Sequence, residues 1–373
     1  MSASFKQLLE KYDYCLPEGL IAQEPASPRD SARLLVCRKD DDEVKFDTFR
    51  NIGKYLPKDA ILVFNQTRVI PAKIAMAKPT GGKVELLHLG YEKGLIKALA
   101  NKFLSAGTVI SYLHPPLRRA GDREGAIQLE VVEKTGNGYL FKPCFSISKW
   151  PDILQKFGQT PLPPYIKHSR LNEKQKREQY QAIFAKTGES IAAPTASLHF
   201  TRRLIANLKK QGISMAFVNL NVNLGTFASL REEQVNSGRL HLETYHIDKK
   251  TARFLNKAKS QGRPIIAVGT TVVRTLESAS SLCHSGQTSA SRGTGQNLYQ
   301  LTNLSDQTDL FIKEGYQFKF IDGMITNFHV PRSSLLMLVS TLIGRKRLFG
   351  LYQEAIKKNF RFFSFGDGML ILP

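Results

Sequence analysis

The sequence predicts an α/β protein into which a small all-β domain is inserted. In both flanking parts of the chain, strand-like apolar runs such as residues 60–64, 213–222 and 264–268 alternate with helical patterns. Between about Val69 and Ile147, short apolar stretches instead alternate with Gly, Pro and Asn-Gly signals, which is typical of an all-β domain. A chain of 373 residues, 42% of them apolar, is long enough to bury the core of two or three domains.

Two helices in the flanking parts have explicit signals at both ends. Thr201 is expected to cap a helix that runs to Lys210 and that Gly212 terminates. Asp248 is expected to cap another helix, which ends at Gly262. These signals are local and do not depend on how the chain packs.

The remaining elements follow from apolar content and from proline. A further helix is predicted to begin at Pro331, where the missing N–H of proline costs nothing, and to carry the apolar stretch 335–342 inward. Residues 278–297 are rich in Ser, Gly, Thr and Gln and predict a mobile loop. Within the inserted segment we predict strands at residues 83–89, 107–113, 127–132 and 139–145.

The charge of the chain indicates a polyanionic partner. There are 53 Lys and Arg against 32 Asp and Glu, a balance of +21, whose field attracts nucleic acid. Solubility or a general basic bias explains the balance equally well from composition alone. The clustering of the basic residues favours a binding face that contacts phosphates. They are concentrated in three runs: Arg118, Arg119 and Arg123; Lys167, Arg170, Lys174, Lys176 and Arg177; and Arg345, Lys346 and Arg347.

Several classes of protein lack their usual signatures here. Apolar runs are far shorter than the ~20 residues of a bilayer-spanning helix, and the N-terminus has no secretion signal, so we expect a cytoplasmic protein without a membrane partner. The four cysteines form no C-x-x-C pair, so no zinc or other metal site is expected. No dinucleotide fingerprint, Walker loop, H-E-x-x-H or G-x-S-x-G motif occurs in its required context.

What remains is a set of polar clusters in apolar surroundings, where a buried polar group is costly unless it is paired or used. At these clusters the sequence resembles the S-adenosylmethionine:tRNA ribosyltransferase-isomerase family of queuosine biosynthesis, from the region of Leu16 to Asp367 and with the motifs in family order. The clusters are Asn65-Gln66-Thr67-Arg68, Pro161-Leu162-Pro163-Pro164-Tyr165, residues 192–200 (AAPTASLHF), His241-Leu242-Glu243, Gly269-Thr270-Thr271-Val272-Val273-Arg274, Thr326-Asn327-Phe328-His329 and residues 361–367 (RFFSFGD).

The chain departs from the family pattern at a few positions. Where the family usually has L-H-V-G-A-G-T-F, residues 220–227 read LNVNLGTF, so that Asn221, Asn223 and Leu224 replace a histidine and smaller residues. Gln66 replaces an asparagine and Ser197 a glycine. A larger side chain where glycine is usual can block the approach of a ligand to the backbone, so these residues bear on catalytic competence.

The resemblance implies a reaction and its partners. S-adenosylmethionine is consumed as a ribosyl donor, the acceptor is 7-aminomethyl-7-deazaguanine in the anticodon arm of tRNA, and epoxyqueuosine, adenine and methionine are the products. No metal or redox cofactor is needed, and we expect a monomer. Two other functions stay open: a divergent paralogue with changed substrate or lost activity, and a non-catalytic RNA-binding protein.

Proton transfer is what the implied reaction demands of the protein, because a base must remove a C5′ hydrogen and a donor must help adenine to leave. We expect His199, His241 and Glu243 to serve as catalytic acid and base in an order that is not assigned. His241 and Glu243 alternate along an extended segment and so point to one face. The alternatives are a helix-terminal contact for His199 and an ordinary strand histidine for His241.

The predicted substrate-binding residues are of four kinds. Arg68 and Arg274 can grip carboxylate or phosphate, or form buried ion pairs. Thr270 and Thr271 can bind an anion where a helix begins, or simply cap it. Tyr165 can stack on adenine or on an anticodon base, or pack in the core. The remaining members are Thr195 in its motif, Asn327 and His329 at the end of a strand, and Asp367, which either accepts a hydrogen bond from the substrate or forms a turn.

These observations and the resemblance together predict two domains. A mixed-sheet α/β catalytic domain is expected over residues 1–68 and 150–373, and a β-barrel-like domain over residues 69–149. The site is expected on the α/β domain, with the inserted domain and the basic runs helping to hold the anticodon arm.

Overall fold

The structure, a computed structural model, describes residues 2–112, 127–136, 138–222, 230–282 and 299–373. The described residues form the following strands: β1 (Arg33–Arg38), β2 (Val44–Thr48), β3 (Ile61–Asn65), β4 (Thr67–Val69), β5 (Lys73–Ala77), β6 (Lys83–Glu92), β7 (Leu95–Ala100), β8 (Val109–Tyr112), β9 (Gln128–Thr135), β10 (Gly138–Pro143), β11 (Thr187–Ser190), β12 (Ser214–Leu220), β13 (Arg239–His246), β14 (Ile265–Val268), β15 (Ser280–Leu282), β16 (Tyr299–Leu301), β17 (Ser305–Leu310), β18 (Gly323–Asn327) and β19 (Gly368–Leu372). The α-helices are α1 (Ala3–Lys11), α2 (Trp150–Phe157), α3 (Glu173–Gln179), α4 (Arg202–Lys210), α5 (Glu232–Ser237), α6 (Lys249–Ser260), α7 (Thr270–Ala279), α8 (Ser334–Ile343) and α9 (Arg345–Lys357).

A nine-stranded mixed sheet forms the centre of the described chain, in the order β17-β13-β12-β3-β14-β18-β19-β1-β2. Strands β12, β3, β14 and β18 pair in parallel, and β18 pairs with β19 in antiparallel orientation. Every residue of β3, β14 and β18 is buried, because helices cover both faces of the sheet. The predicted mixed α/β fold is therefore confirmed.

Alternation along the central strands divides the core into two layers. Ile61 and Val63 of β3 pack on the same side as Ile265 of β14, whereas Leu62 and Phe64 pack on the other side. Successive side chains of a strand point to opposite faces, so one apolar run supplies both layers. Because β14 and β18 also pair in parallel, their carboxyl ends lie next to each other.

The inserted segment forms a closed antiparallel barrel with the strand order β10-β7-β6-β5-β8-β9, which confirms the predicted barrel-like fold. Strands β5 and β7 were not among those predicted within this segment. The barrel core extends into α2, because Trp150 and Leu154 are buried in the same apolar cluster as Ile96 and Phe141. The predicted domain limits at residues 69 and 149 stay a prediction.

The predicted ends of α4 and α6 are confirmed. The hydroxyl of Thr201 accepts a hydrogen bond from the amide of Leu204, and the carboxylate of Asp248 accepts one from the amide of Thr251. The prediction that a helix begins at Pro331 is wrong. Arg332 has a φ of 56°, outside the helical range, and α8 begins only after Ser333, whose hydroxyl caps the amide of Leu336.

The prediction of a mobile loop over residues 278–297 is wrong for its first five residues. Ser278 and Ala279 are the last residues of α7, and β15 follows at once and pairs with β16. The low apolar content of this segment concealed a short two-stranded ladder, in which Leu301 of β16 is buried in the core. The rest of the predicted loop lies outside the described residues.

Among the described helices, none has both the length and the apolar character that crossing a membrane requires.

Glu277 connects α7 to the segment that leads into β18. Its buried carboxylate accepts hydrogen bonds from the amides of Lys319, Phe320 and Ile321 at 2.8 to 3.1 Å, and from the hydroxyl of Tyr316 at 3.0 Å. Four donors on one carboxylate hold this segment against the helix. No sequence pattern identified this residue, because its partners lie about forty positions away.

Replacing Glu277 by glutamine should destabilise the fold. The amide group of Gln presents N–H groups to donors that need an acceptor, so we expect a loss of about 2 to 3 kcal/mol from groups left unsatisfied. Urea unfolding measures the difference. Glu354→Gln, at an exposed carboxylate on α9, is the matched control and should change the stability by less than about 0.5 kcal/mol. Equal losses in the two variants would contradict the role of Glu277.

Candidate active site

A cleft of about 600 Å³ opens where β14 and β18 end. Ligand sites of α/β proteins gather at this edge of the sheet, since the loops that follow neighbouring parallel strands converge there. Gly269 and the start of α7 follow β14, and Phe328 and Val330 follow β18. Six of the predicted substrate-binding residues line the cleft: Tyr165, Thr195, Thr270, Thr271, Asn327 and His329. The predicted positions of Thr270 and Thr271 at a helix start, and of Asn327 and His329 at a strand end, are confirmed. The roles of all six residues stay predictions.

A smaller cavity adjoins the cleft and contains two of the predicted catalytic residues. His241 and Glu243 line it together with Arg274, and Leu335 of α8 lines both the cavity and the cleft. His241 and Glu243 are thus on one face of β13, as their alternation predicted. The two spaces are neighbours around one leucine side chain.

Arg274 forms a buried ion pair in this cavity. Its guanidinium donates to the carboxylate of Glu243, to the carbonyl of Leu310 at 3.1 Å and to the carbonyl of Thr308 at 3.3 Å. Both partners of the pair are less than a tenth exposed. The structure therefore shows the buried-pair alternative for Arg274. Burial, together with the nearby charges of Arg231 and Arg274, lowers the pKa of His241 below its ordinary value.

Asn327 is the centre of a polar network in the wall of the cleft. Its side-chain oxygen accepts from the hydroxyl of Thr195 at 3.1 Å, and its amide nitrogen donates to the carbonyl of Phe363 at 3.1 Å. The same nitrogen lies 3.3 Å from Nε2 of His199. With every partner satisfied, the network holds Asn327 in one orientation.

His199 lies behind this wall, and it is not among the residues that line the cleft. Its ring stacks on Phe49 at a centroid distance of 4.6 Å. Burial, with the charges of Arg361 and Arg29, lowers the pKa of His199 to about 3, so the imidazole is neutral at pH 7 and can accept from Asn327. His199 thus contacts the cleft through Asn327, and its predicted acid-base role stays a prediction.

His329 is the histidine that lines the cleft itself. Its Nε2 lies 2.7 Å from the hydroxyl of Thr326, and its backbone amide donates to the hydroxyl of Tyr352 at 2.8 Å. Burial of the ring lowers the pKa of His329 to about 4. The cleft therefore presents a neutral imidazole to its contents at pH 7.

Two predicted substrate-binding residues lie elsewhere. Arg68 is exposed on β4 and lines a separate cleft with Arg177 and Gln181. Asp367 is buried, and its carboxylate accepts from the amides of Arg33 at 2.9 Å and Arg361 at 2.7 Å. These are the contacts of an aspartate that stabilises a turn, the alternative that the sequence left open, and they join β1 to the last strand.

Ser364 and Phe363 line the cleft, although the sequence predicted neither as a site residue. The hydroxyls of Tyr165 and Ser364 are 2.6 Å apart, and the rings of Tyr165 and Phe363 are 4.8 Å apart. Burial raises the pKa of Tyr165 to about 12, although the contact with Ser364 acts in the opposite direction. Both residues belong to the 361–367 cluster, so the signal was present, but it was assigned to Asp367 alone.

Two of the departures from the family pattern fall on described residues near the cleft. Asn221 is not among the residues that line the cleft; its side-chain oxygen accepts from the hydroxyl of Thr67 at 3.1 Å, and the neighbouring Val222 contributes to the wall instead. The hydroxyl of Ser197 is buried and has no hydrogen-bond partner among the described residues. Asn223 and Leu224 lie outside the described residues.

Comparison with known proteins identifies the family of this chain. The model of the family described as "Queuosine biosynthesis protein" matches residues 9–371. The chain belongs to the queuosine biosynthesis protein family. Among curated members of this family, proteins named S-adenosylmethionine:tRNA ribosyltransferase-isomerase from Carboxydothermus hydrogenoformans and Aquifex aeolicus are each 42% identical to it, covering 98% of this chain and 99% of the relative. A third of that name, from Heliobacterium modesticaldum, is 40% identical and covers 97% and 98%.

A solved member has the same fold. The crystal structure of an S-adenosylmethionine tRNA ribosyltransferase from Thermotoga maritima is 30% identical, covers 97% of this chain and 100% of its own, and superposes with a TM-score of 0.51. Membership of the queuosine biosynthesis family confirms the predicted class of the protein, an enzyme of the transferase and isomerase type that acts in tRNA modification.

Proposed function

We propose that this enzyme transfers and isomerises the ribosyl unit of S-adenosylmethionine onto 7-aminomethyl-7-deazaguanine in tRNA. Epoxyqueuosine forms, and adenine and methionine are released without a metal or redox cofactor. The observation that carries the proposal is the convergence of six predicted residues on one cleft of about 600 Å³.

The site's own groups suit the proton transfers of this reaction. His241 is the half-buried titratable group of the adjoining cavity, next to a Glu243 whose charge Arg274 balances. The base that removes a C5′ hydrogen must be unprotonated at working pH. His241 meets this condition, because its pKa is lowered below the ordinary value of 6.5. Asn327, held by Thr195, is placed to position the substrate in the cleft.

The tRNA is proposed to approach Tyr165 from a second groove, not from the cleft. That residue also lines an open groove of about 850 Å³, with Lys167 and His168 on its wall. Lys167, Arg170 and Lys174 are exposed along the same segment and suit phosphate contacts. We propose that a monomer binds the anticodon arm here, in the cytoplasm, so that an unstacked base reaches the cleft past Tyr165.

The proposal is tested by adenine release from S-adenosylmethionine with tRNA that carries 7-aminomethyl-7-deazaguanine, and with unmodified tRNA as the control. Adenine release with the modified tRNA alone, together with the mass of the epoxycyclopentane nucleoside, is the expected result. Folded protein that binds tRNA but releases no adenine would favour the paralogue or binding-only alternatives.

Tyr165→Ala should weaken the use of substrate. Stacking of a base on an aromatic ring is worth ~1 to 3 kcal/mol, so loss of the ring should raise a KM by about 5- to 150-fold. If adenine stacks there, the KM for S-adenosylmethionine rises; if an anticodon base does, the KM for tRNA rises. Tyr165→Phe is the matched control, because it loses the hydroxyl that contacts Ser364 and keeps the ring. An unchanged KM for both substrates in Tyr165→Ala would place the substrates outside this cleft.

A further inference from the structure

The walls of the cleft have no formal charge. Among the described residues that line it there is no Lys, Arg, Asp or Glu. Tyr165, with a pKa of about 12, and His329, with a pKa of about 4, are both neutral at pH 7. The two arginines expected to grip an anion are occupied or distant, since Arg274 pairs with Glu243 and Arg68 lines another cleft. A negatively charged part of a ligand must therefore find another partner here.

The N-terminus of α7 is the electropositive feature of this cleft. The amides of Val272 and Val273 donate to the carbonyl of Gly269 at 3.1 and 3.3 Å. The amides of Thr270 and Thr271 are the first two of the helix, so no carbonyl of α7 can accept from them. Both residues line the cleft. The ten residues of α7 add a helix dipole whose positive end is at this point.

A second observation at the same place indicates a ligand. The hydroxyl oxygen of Thr271 is buried and has no hydrogen-bond partner among the described residues, and the residue is 8% exposed. Buried hydroxyls normally find a partner, as that of Thr275 does one turn later by donating to the carbonyl of Thr271 at 2.9 Å. The hydroxyl of Thr271, in the wall of the cleft, is left for a group that the cleft binds.

Gly269 keeps this position accessible. Its φ of 95° is one that residues with a side chain rarely adopt. A Cβ at this position would lie 3.7 Å from the hydroxyl oxygen of Thr271, in van der Waals contact with it. The glycine therefore both permits the turn and leaves room beside the unpaired hydroxyl.

We propose that the N-terminus of α7, with the hydroxyl of Thr271, binds the α-carboxylate of S-adenosylmethionine. This inference rests on the proposed function and specifies how its donor substrate is oriented. The amides of Thr270 and Thr271 and the hydroxyl of Thr271 donate to the carboxylate oxygens, and no covalent step is involved. An RNA phosphate is the other source of an anion, and the experiment below distinguishes the two.

The test compares S-adenosylmethionine with its decarboxylated analogue by calorimetry, in the presence of unmodified tRNA. Wild-type protein should bind the analogue at least about tenfold more weakly, because a hydrogen bond to a charged group contributes ~1.5 to 3 kcal/mol. Thr271→Val should weaken binding of S-adenosylmethionine by a similar factor and leave that of the analogue within about twofold. Thr271→Ser should recover most of the affinity. Thr275→Val, one turn along the same helix, is the matched control and should show the wild-type difference between the two ligands.

Several outcomes would overturn the inference. One is equal affinity of the wild-type protein for both ligands, a result that needs no variant. Others are an equal loss for both ligands in Thr271→Val, and an unchanged affinity for S-adenosylmethionine in that variant. Weaker tRNA binding by Thr271→Val without S-adenosylmethionine, at an unchanged affinity for that ligand, would assign the helix end to a phosphate. Failure of the proposed function is distinct, because it appears as wild-type protein that discriminates the ligands but releases no adenine.

Discussion

Between pH 7 and pH 5 we expect the protein to lose about 6 kcal/mol of unfolding free energy, since three histidines stay neutral in the folded state. Burial lowers the pKa of His199 to about 3, and those of His88 and His329 to about 4, from an ordinary value of 6.5. Below 6.5 the unfolded chain takes up protons that the folded protein does not, so stability falls as the pH is lowered from 6.5 towards the folded pKa. Each histidine contributes about 1.4 kcal/mol per pH unit in that window, or roughly 2 kcal/mol by pH 5.

Urea unfolding at a series of pH values measures this loss. His88 lies in the barrel, where its Nδ1 accepts from the indole of Trp150 at 3.3 Å, and it lines neither the cleft nor the adjoining cavity. His88→Gln should therefore remove about a third of the pH dependence without touching the site. The exposed His168→Gln is its matched control and should leave the pH dependence as it is. A stability that is flat between pH 7 and pH 5 would contradict the expectation that these imidazoles resist protonation in the folded protein.

Arg274→Met should cost about 3 to 5 kcal/mol of stability at pH 7, because it leaves the carboxylate of Glu243 buried without its partner. The carbonyls of Leu310 and Thr308 lose a donor at the same time. Adding Glu243→Met to this variant should recover much of the loss, since an apolar pair removes the uncompensated charge. Lys357→Met, which breaks the exposed pair with Glu354, is the control and should cost less than about 1 kcal/mol.

The double variant separates the structural role of Glu243 from its predicted catalytic role. If it is folded and binds tRNA, yet releases adenine far more slowly, Glu243 acts in the reaction or positions His241 next to it. Full activity in a folded double variant would show that the pair serves stability alone. If Arg274→Met loses no more stability than Lys357→Met, the claim that this variant leaves a buried, unpaired carboxylate is contradicted.

Elements with local signals were predicted well. Thr201 and Asp248 start their helices because the capping oxygen and the amide it accepts from are three residues apart. The start of α8 was predicted wrongly for a related reason: Pro331 and Ser333 are both plausible first residues, and the left-handed backbone of Arg332 between them is not visible in the sequence. The positions of Thr270, Asn327 and His329 at the edge of the sheet were predicted because these residues follow apolar, strand-like runs.

By itself, the sequence determined the mixed α/β class, the inserted all-β domain and the strand ends where the site forms, because periodicity and capping depend on residues close together in the chain. Only the tertiary structure decided what each polar residue does there. Arg274 pairs with Glu243, 31 residues away, and the carboxylate of Asp367 accepts from the amide of Arg33, 334 residues away. His199 lies behind Asn327. A charged group has the same appearance in a sequence whether it is paired, buried or free, since its partner is chosen by packing between distant segments.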